Sequence, residues 1–304
     1  MNSSLHTSGA QRCHALMDRT KTVYQGIINV TPDSFSDGGQ FDAPESAVAQ
    51  ALKLVQQGAH IVDVGGVSTR PGALEISAEA ELERVLPVLK ALRSQLPTDV
   101  LVSLDTSSPT VAYAAAQENL IDIINDVYSA RKTRAVDTAL SVKTNKSQAF
   151  GATTAHVAGH FDLGFIAMHM QGTPSNMQRH PNYENCVDEV ALFLQERIEF
   201  ARNCGVHWVA VDPGIGFGKT LAHNLELLCP AALAKLNELG APVLIGLSRK
   251  SFLKMLAEAQ NALPLFASKE AEMQWRDQQS ALWEENCVNW GARIIRTHVI
   301  KPVS

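Results

Sequence analysis

Short apolar runs, several of them β-branched, alternate along this chain with longer segments whose apolar positions recur at helical spacing. Val23 to Val30 reads as a strand, and Pro44 to Gln57, with Val48, Leu52 and Val55 on one face, reads as a helix. The unit then repeats. Strands are predicted at Ala59 to Val64, Val100 to Leu104, Ile121 to Ile124, Leu163 to Met168, Val209 to Val211, Pro242 to Leu247 and Ala292 to Ile295. Helices are predicted at Glu79 to Leu96, Pro109 to Asn119, Glu184 to Asn203, Ala222 to Leu239 and, broken near Pro264, Ser251 to Trp290. Between Tyr128 and Asp162 the pattern weakens into an enlarged crossover with a short helix near Thr133 to Leu140. Residues 1 to 20 are polar and mixed, and read as a loosely held lead-in or a short strand plugging one end of a barrel.

The pattern amounts to eight strands and seven crossover helices. Strands that are apolar throughout and alternate with helices argue for parallel β/α units with both sheet faces covered. Eight of them argue for a closed (β/α)8 TIM barrel, residues 21–304 as one domain, over an open doubly wound sheet, because polar residues follow nearly every strand and suit a ring of loops around one mouth. The eighth helix is missing from the pattern after the last strand. The N-terminal segment or a partner chain could supply it, or the gap could stay open.

Charge narrows the partners. With 26 Lys plus Arg against 31 Asp plus Glu there is no basic field for nucleic acid or a membrane surface, so small-molecule substrates are expected. Five scattered cysteines (Cys13, Cys186, Cys204, Cys229, Cys287) give neither a disulfide framework nor a zinc site. Neither a signal-peptide core nor a run of 18 apolar residues occurs, which points to the cytoplasm.

The chemistry gathers at strand ends. VAVDPGIGFGKT, from Val209 to Thr220, carries an acid at a strand mouth followed by glycine at every second position. Its Lys-Thr invites a phosphate-loop reading, but that pattern needs Gly where Pro213 stands, and the dinucleotide pattern needs Gly where Lys219 stands. Under the barrel reading Asn29, Asp105, Asn125, Met168, Asp212, Lys250, Arg296 and His298 converge on one mouth. Asp105, Asn125, Asp212 and Lys250 suit the edge of a flat, nitrogen-rich heterocycle, since a carboxylate accepts two N–H bonds side by side. Asn29, Arg70, Arg296 and His298 suit a phosphorylated, metal-bound group. Taken singly, each has a plain alternative as a turn, cap or solvated residue. Eight polar residues placed after seven of the eight strands are harder to dismiss together.

These blocks resemble the dihydropteroate synthases, which join a pterin to p-aminobenzoate in folate synthesis. GIINVTPDSFSDGG from Gly26 looks like their first signature, and DVGGVSTRPGA from Asp63, DTSSP from Asp105, IIND from Ile123, MHMQGTP from Met168, DPGIGFGKTLAHNLELL from Asp212, PVLIGLSRKSF from Pro242 and IIRTH from Ile294 follow in order. The resemblance implies a transferase, a sulfonamide target, that uses 6-hydroxymethyl-dihydropterin pyrophosphate, p-aminobenzoate and Mg²⁺, and that forms a homodimer through late helices. By position it implies that Asp105, Asn125, Asp212 and Lys250 hold the pterin, with Met168 and Phe217 nearby. Asn29 would help hold Mg²⁺, and Arg70, Arg296 and His298 the pyrophosphate. Phe35, Thr69, Pro71 and Ser251 would frame p-aminobenzoate when the first two loops close. Metal and guanidinium would ease departure of pyrophosphate, the pterin would delocalise the cation left on its methylene, and an arylamine, neutral at pH 7, would need no obligatory base. Val67 stands where the family usually has Glu, Ser108 where Lys is common, and Val299 where Asp follows the His. The alternatives are a pterin-binding paralogue without synthase activity, a folate-binding methyltransferase-type domain, which SRK and R-x-H disfavour, and, by fold analogy alone, a phosphate-sugar barrel enzyme.

Overall fold

The computed structural model describes residues 7–31, 43–68, 76–132 and 153–300. Strands β1 (Val23–Asn29), β2 (Ile61–Gly65), β3 (Leu101–Asp105), β4 (Ile123–Asp126), β5 (Gly164–Met168), β6 (Trp208–Asp212), β7 (Leu244–Ile245) and β8 (Ile294–Thr297) form one sheet in the order β6-β5-β4-β3-β2-β1-β8-β7, every pair parallel. A bridge between Val211 and Val243, with the Val211 amide donating to the Pro242 carbonyl at 3.0 Å, joins the two ends of that order. The sheet is therefore a closed eight-stranded barrel.

Ten helices occur among the described residues: α1 (Gly9–Arg19), α2 (Ala43–Gln56), α3 (Ala78–Gln95), α4 (Pro109–Gln117), α5 (Thr154–His160), α6 (Cys186–Asn203), α7 (Leu221–Leu227), α8 (Pro230–Asn237), α9 (Phe252–Ala259) and α10 (Lys269–Asn289). Outward residues of the strands, such as Val62, Val64, Val102, Leu104 and Phe165, pack with helix residues Leu54, Val85, Leu89, Leu92 and Leu194 in one continuous core.

Three expectations are corrected. Residues 9–19 form a helix, neither a strand nor a loose lead-in, with Ser8 and Gln11 closing a reciprocal capping box. This helix does not stand in for the eighth crossover helix. Its Ala10, Cys13 and Leu16 plug the barrel floor against Val23, Ile61, Leu101, Ile123, Trp208, Leu244 and Ile294, which include the first residues of most strands. Buried Asp122 ties the plug down, accepting from Arg12, from Arg93 at 2.6 Å and from the Val102 amide at 2.8 Å. Second, the helix expected over Ala222 to Leu239 breaks in two. Leu228 and Cys229 leave helical geometry so that Pro230 can open α8, where its missing N–H costs no bond. Third, β7 is a two-residue strand, not Pro242 to Leu247. Pro242 has no donor for the ladder, and Val243, whose carbonyl accepts from the Arg293 and Ile294 amides at 2.9 and 3.1 Å, is joined to β6 by the isolated bridge alone.

No helix follows β8 among the described residues, which run to Ile300. The short helix expected near Thr133 to Leu140 lies outside them.

Candidate active site

Strand alternation decides which residues reach the barrel interior. The floor residues Val23, Ile61, Leu101, Ile123, Ile166, Trp208 and Ile294 point inward, so residues two, four and six further on point inward as well. That parity selects Gln25, Ile27 and Asn29 on β1, Asp63 and Gly65 on β2, Ser103 and Asp105 on β3, and Asn125 on β4. It also selects Met168 on β5, Asp212 on β6, Arg296 on β8 and His298 just after it. The barrel thus passes from an apolar floor to a polar mouth at the C-terminal ends of its strands, the usual place for activity in this fold.

At the mouth the residues form two connected groups. Arg296 reaches across from β8 and donates from Nε to Asp63 Oδ2 at 2.7 Å and from a terminal nitrogen to Asp105 Oδ2 at 2.8 Å. Asn125 donates to the same Asp63 oxygen at 3.1 Å. Opposite them, Asp212 accepts from the Gly214 amide at 2.7 Å, and the Lys250 ammonium donates to the Ile215 carbonyl and lies 4.6 Å from the centre of the Phe217 ring. Met168 joins Val127, Met170 and Met177 in an apolar wall to which Phe217 adds its ring. A slot with two acids, an amide and a lysine at its edge and an apolar face can take a flat, hydrogen-bonding ring.

Two glycines make this arrangement possible. Gly214 has φ +70°, and a Cβ there would fall 1.8 Å from the His169 carbonyl oxygen. Gly218 has φ +64° and would meet the Gln171 carbonyl at 2.4 Å. The loop after β6 is pressed onto the loop after β5 too closely for any side chain.

His298 caps the other side of the mouth, its amide and Nδ1 both on Ser248 Oγ, at 3.2 and 3.0 Å. Asn29 is half-buried at the end of β1, and Ser251 is exposed just before α9. Phe35, Thr69, Arg70 and Pro71 lie outside the described residues. Ser108, one of the departures from the family pattern, caps α4 by accepting from the Val111 amide at 3.5 Å.

Sequence reasoning left Asp63 out of the site, although an acid at the centre of the apolar run HIVDVG, two residues from Ile61, was itself the signal. It also missed Lys219, which is buried and placed 2.9 Å from His169 Nδ1 and 3.1 Å from the Phe217 carbonyl. Burial, and then the Lys219 ammonium, hold His169 down at about 2, so its ring is neutral and accepts from that lysine. Burial also pulls Lys219 down to about 7.

Burial sets the electrostatics of the mouth as well. It raises Asp105 to about 7, with Arg296 pulling the other way and Asp63 adding to the rise. It raises Asp212 against the attraction of Lys250. It lowers Lys250 to about 8, with Asp212 opposing. Arg296 loses by desolvation, but Asp63 and Asp105 more than offset that loss and leave it above the ordinary guanidinium value.

Affinity for the ring should therefore fall through a midpoint near pH 8 as Lys250 loses its charge. Unfolding is not the cause. A lysine whose folded pKa is depressed binds fewer protons folded than unfolded between about 8 and 10.5, so stability from this group rises with pH across that window. Titration of a flat, hydrogen-bonding heterocycle from pH 6.5 to 9.5 checks this, and Lys250→Arg should move the limb out of range because a guanidinium stays charged. A flat wild-type profile to pH 9.5 rules it out.

Fold and mouth define a class: a (β/α)8-barrel enzyme with a charged, hydrogen-bonding pocket at the ends of its strands. Residues 25–298 match the family described as "Pterin binding enzyme". A dihydropteroate synthase of Synechocystis sp. is 40% identical over 235 residues, covering 77% of this chain and 73% of that protein. Two solved structures, each 35% identical with a TM-score of 0.73, cover 92% of this chain. They are the Yersinia pestis dihydropteroate synthase in a sulfonamide drug complex, 89% covered, and the Xanthomonas albilineans dihydropteroate synthase with 4-aminobenzoic acid, 88% covered. The chain belongs to the dihydropteroate synthase family of pterin-binding enzymes.

Proposed function

We propose that this protein condenses 6-hydroxymethyl-7,8-dihydropterin pyrophosphate with p-aminobenzoate, releasing pyrophosphate and 7,8-dihydropteroate. The observation that carries this reading is the convergence of Asp105, Asn125, Asp212, Lys250 and Arg296 on one mouth of a chain with this family membership. Asp105, Asp212 and Asn125 hold the donor edge of the pterin, Lys250 its acceptor edge, and Met168 and Phe217 its faces. Arg296 and His298 take the pyrophosphate with Arg70, and Ser251 faces p-aminobenzoate with Phe35, Thr69 and Pro71. The covalent step breaks the bond between the pterin methylene and the pyrophosphate oxygen and forms one from the methylene to the arylamine nitrogen, whose proton leaves to solvent.

The donor set bears on Mg²⁺. Among the described residues there is no group of three or more His, Cys, Asp or Glu side chains able to cage a metal. Asn29 offers one neutral oxygen at the mouth, which suits an ion that arrives bound to the pyrophosphate and keeps most of its waters. Such an ion would supply charge neutralisation to the leaving group. The rest of the reading is a small-molecule enzyme of the cytoplasm with no nucleic-acid partner, consistent with five free cysteines and with no described helix long and apolar enough to cross a membrane. A homodimer belongs to the same proposal, supported by Leu282, more than half exposed on the outer helix α10.

The test incubates the protein with the pterin pyrophosphate, p-aminobenzoate and Mg²⁺ and quantifies both dihydropteroate and pyrophosphate. Equal amounts of both, falling together in Asn29→Ala and on chelation of the metal, are expected. Pterin binding with no product would instead make this chain a binding paralogue.

A further inference from the structure

Three consecutive residues after β7 serve three different masters. Ser248 receives His298, and Lys250 faces Asp212 and Phe217, so both belong to the mouth. Arg249 between them faces out of it. Its backbone sits at φ +61°, a left-handed conformation that a side chain such as arginine rarely adopts and that is held only where the surroundings over-determine it.

The surroundings come from one helix. Arg249 donates its amide to Ser280 Oγ at 3.0 Å, and its carbonyl accepts from Arg276 at 3.0 Å. Its guanidinium forks onto both oxygens of Asp277, at 2.6 and 2.9 Å. Ser280, itself buried, is fixed by donating to the Arg276 carbonyl at 2.7 Å, and Arg276 is braced by Glu272 at 2.7 Å. All four partners of the clamp lie on α10 (Lys269–Asn289), an element outside the barrel that supplies no residue to the mouth. A bidentate carboxylate–guanidinium pair fixes direction as well as distance, which a lone lysine pair does not.

We propose that Asp277, with Ser280 and Arg276, is a positioning element of the reaction: it holds Arg249 left-handed and thereby aims Ser248 and Lys250 into the mouth from either side. The inference rests on the synthase reading above. It does not make Arg249 or Asp277 a ligand of either substrate. A β7 of only two residues gives this turn little support from the sheet, so the direction of its side chains depends on the outer helix. A shift of about 1 Å in a positioned group costs up to about 10²-fold in rate, which sets the scale of the expected effect.

The experiment compares wild type, Asp277→Ala, Asp277→Glu and the double variant Asp277→Ala/Arg249→Gly, with steady-state kinetics, pterin affinity by fluorescence and thermal midpoints for each. Asp277→Ala should lower kcat/KM for the pterin pyrophosphate by about 10- to 100-fold. Asp277→Glu, which keeps the carboxylate, should lose less. The double variant is decisive, because glycine takes φ +61° without a clamp and should recover most of the loss although the ion pair is gone. A merely structural role of Asp277 in α10 predicts the opposite, with no recovery and a kinetic loss that follows the thermal midpoint. Asp277→Ala kinetics within about twofold of wild type, or a double variant no better than the single one, overturns the proposal. If wild type makes no dihydropteroate, the synthase reading fails on its own, and the same four proteins decide the positioning claim through pterin affinity.

Discussion

Asp212→Asn is expected to lower kcat/KM for the pterin substrate by about 10³-fold, on the order of 4 kcal/mol, with the fold intact. Asp212 is buried at the end of β6, takes the Gly214 amide on one oxygen at 2.7 Å and faces Lys250 across the slot. An amide of the same shape accepts on one side only. It therefore either releases Gly214 or meets a ring N–H with a second donor, and in a buried slot an unmatched donor keeps its full desolvation penalty. The loss should appear in pterin affinity as well as in turnover, since the contact exists before any bond breaks. Lys250 suffers too, because the carboxylate that opposes its loss of charge is gone and its pKa falls further below 8. Pterin titration at pH 6.5 and pH 8 measures both consequences. Wild-type affinity in this variant would remove Asp212 from the substrate's edge, and with it the assignment of this slot to the pterin.

The barrel was legible because apolar strands and amphipathic helices differ in period, and because parallel strands need crossovers long enough to show one. Parity puts Asp63 on one face with Ile61 and Gly65, as it puts Ser103 and Asp105 with Leu101, but strands apolar on both faces do not mark which face is inward, and Asp63 was passed over. What the pattern could not give was contact between strands distant in sequence. Arg296 suited an anion when read along the chain, but only closure of β8 against β1 puts it within 2.7 Å of Asp63. The plug helix escaped notice for a related reason. Ser8 and Gln11 spell a capping box and Ala10, Cys13, Leu16 and Met17 recur at helical spacing, but a short run rich in polar residues reads as a lead-in, and only the apolar floor shows what that face covers. The Arg249 clamp was hidden because a positive φ leaves no mark on a residue type that ordinarily avoids it.

Arg296→Met should cost about 3–5 kcal/mol of stability at neutral pH and about 10³-fold in kcat, the two losses having one cause. Two carboxylates, Asp63 and Asp105, then face each other in the interior with their shared cation gone. In the wild type Asp105 already stands at about 7, because burial outweighs the pull of Arg296, and removing that pull can only raise it. A carboxyl whose folded pKa lies above its unfolded value binds more protons folded than unfolded, so stability falls as pH rises from about 4 through the folded pKa. In the variant that window extends to higher pH than in the wild type, and the stability gap between them should widen from pH 5.5 to pH 8, by up to about 1.4 kcal/mol per unit for one proton. Urea unfolding at the two pH values reads the gap directly. Arg296→Lys should fall between, since an ammonium keeps the charge but cannot fork to both acids at once. A gap that stays constant or narrows with pH would mean that Arg296 is not the counter-charge of this pair and is free for an incoming anion, in which case pyrophosphate would bind without first loosening Asp63 and Asp105. A widening gap means that the anion must compete with two carboxylates for the same guanidinium, so that the charge holding the mouth together is the charge the leaving group takes over.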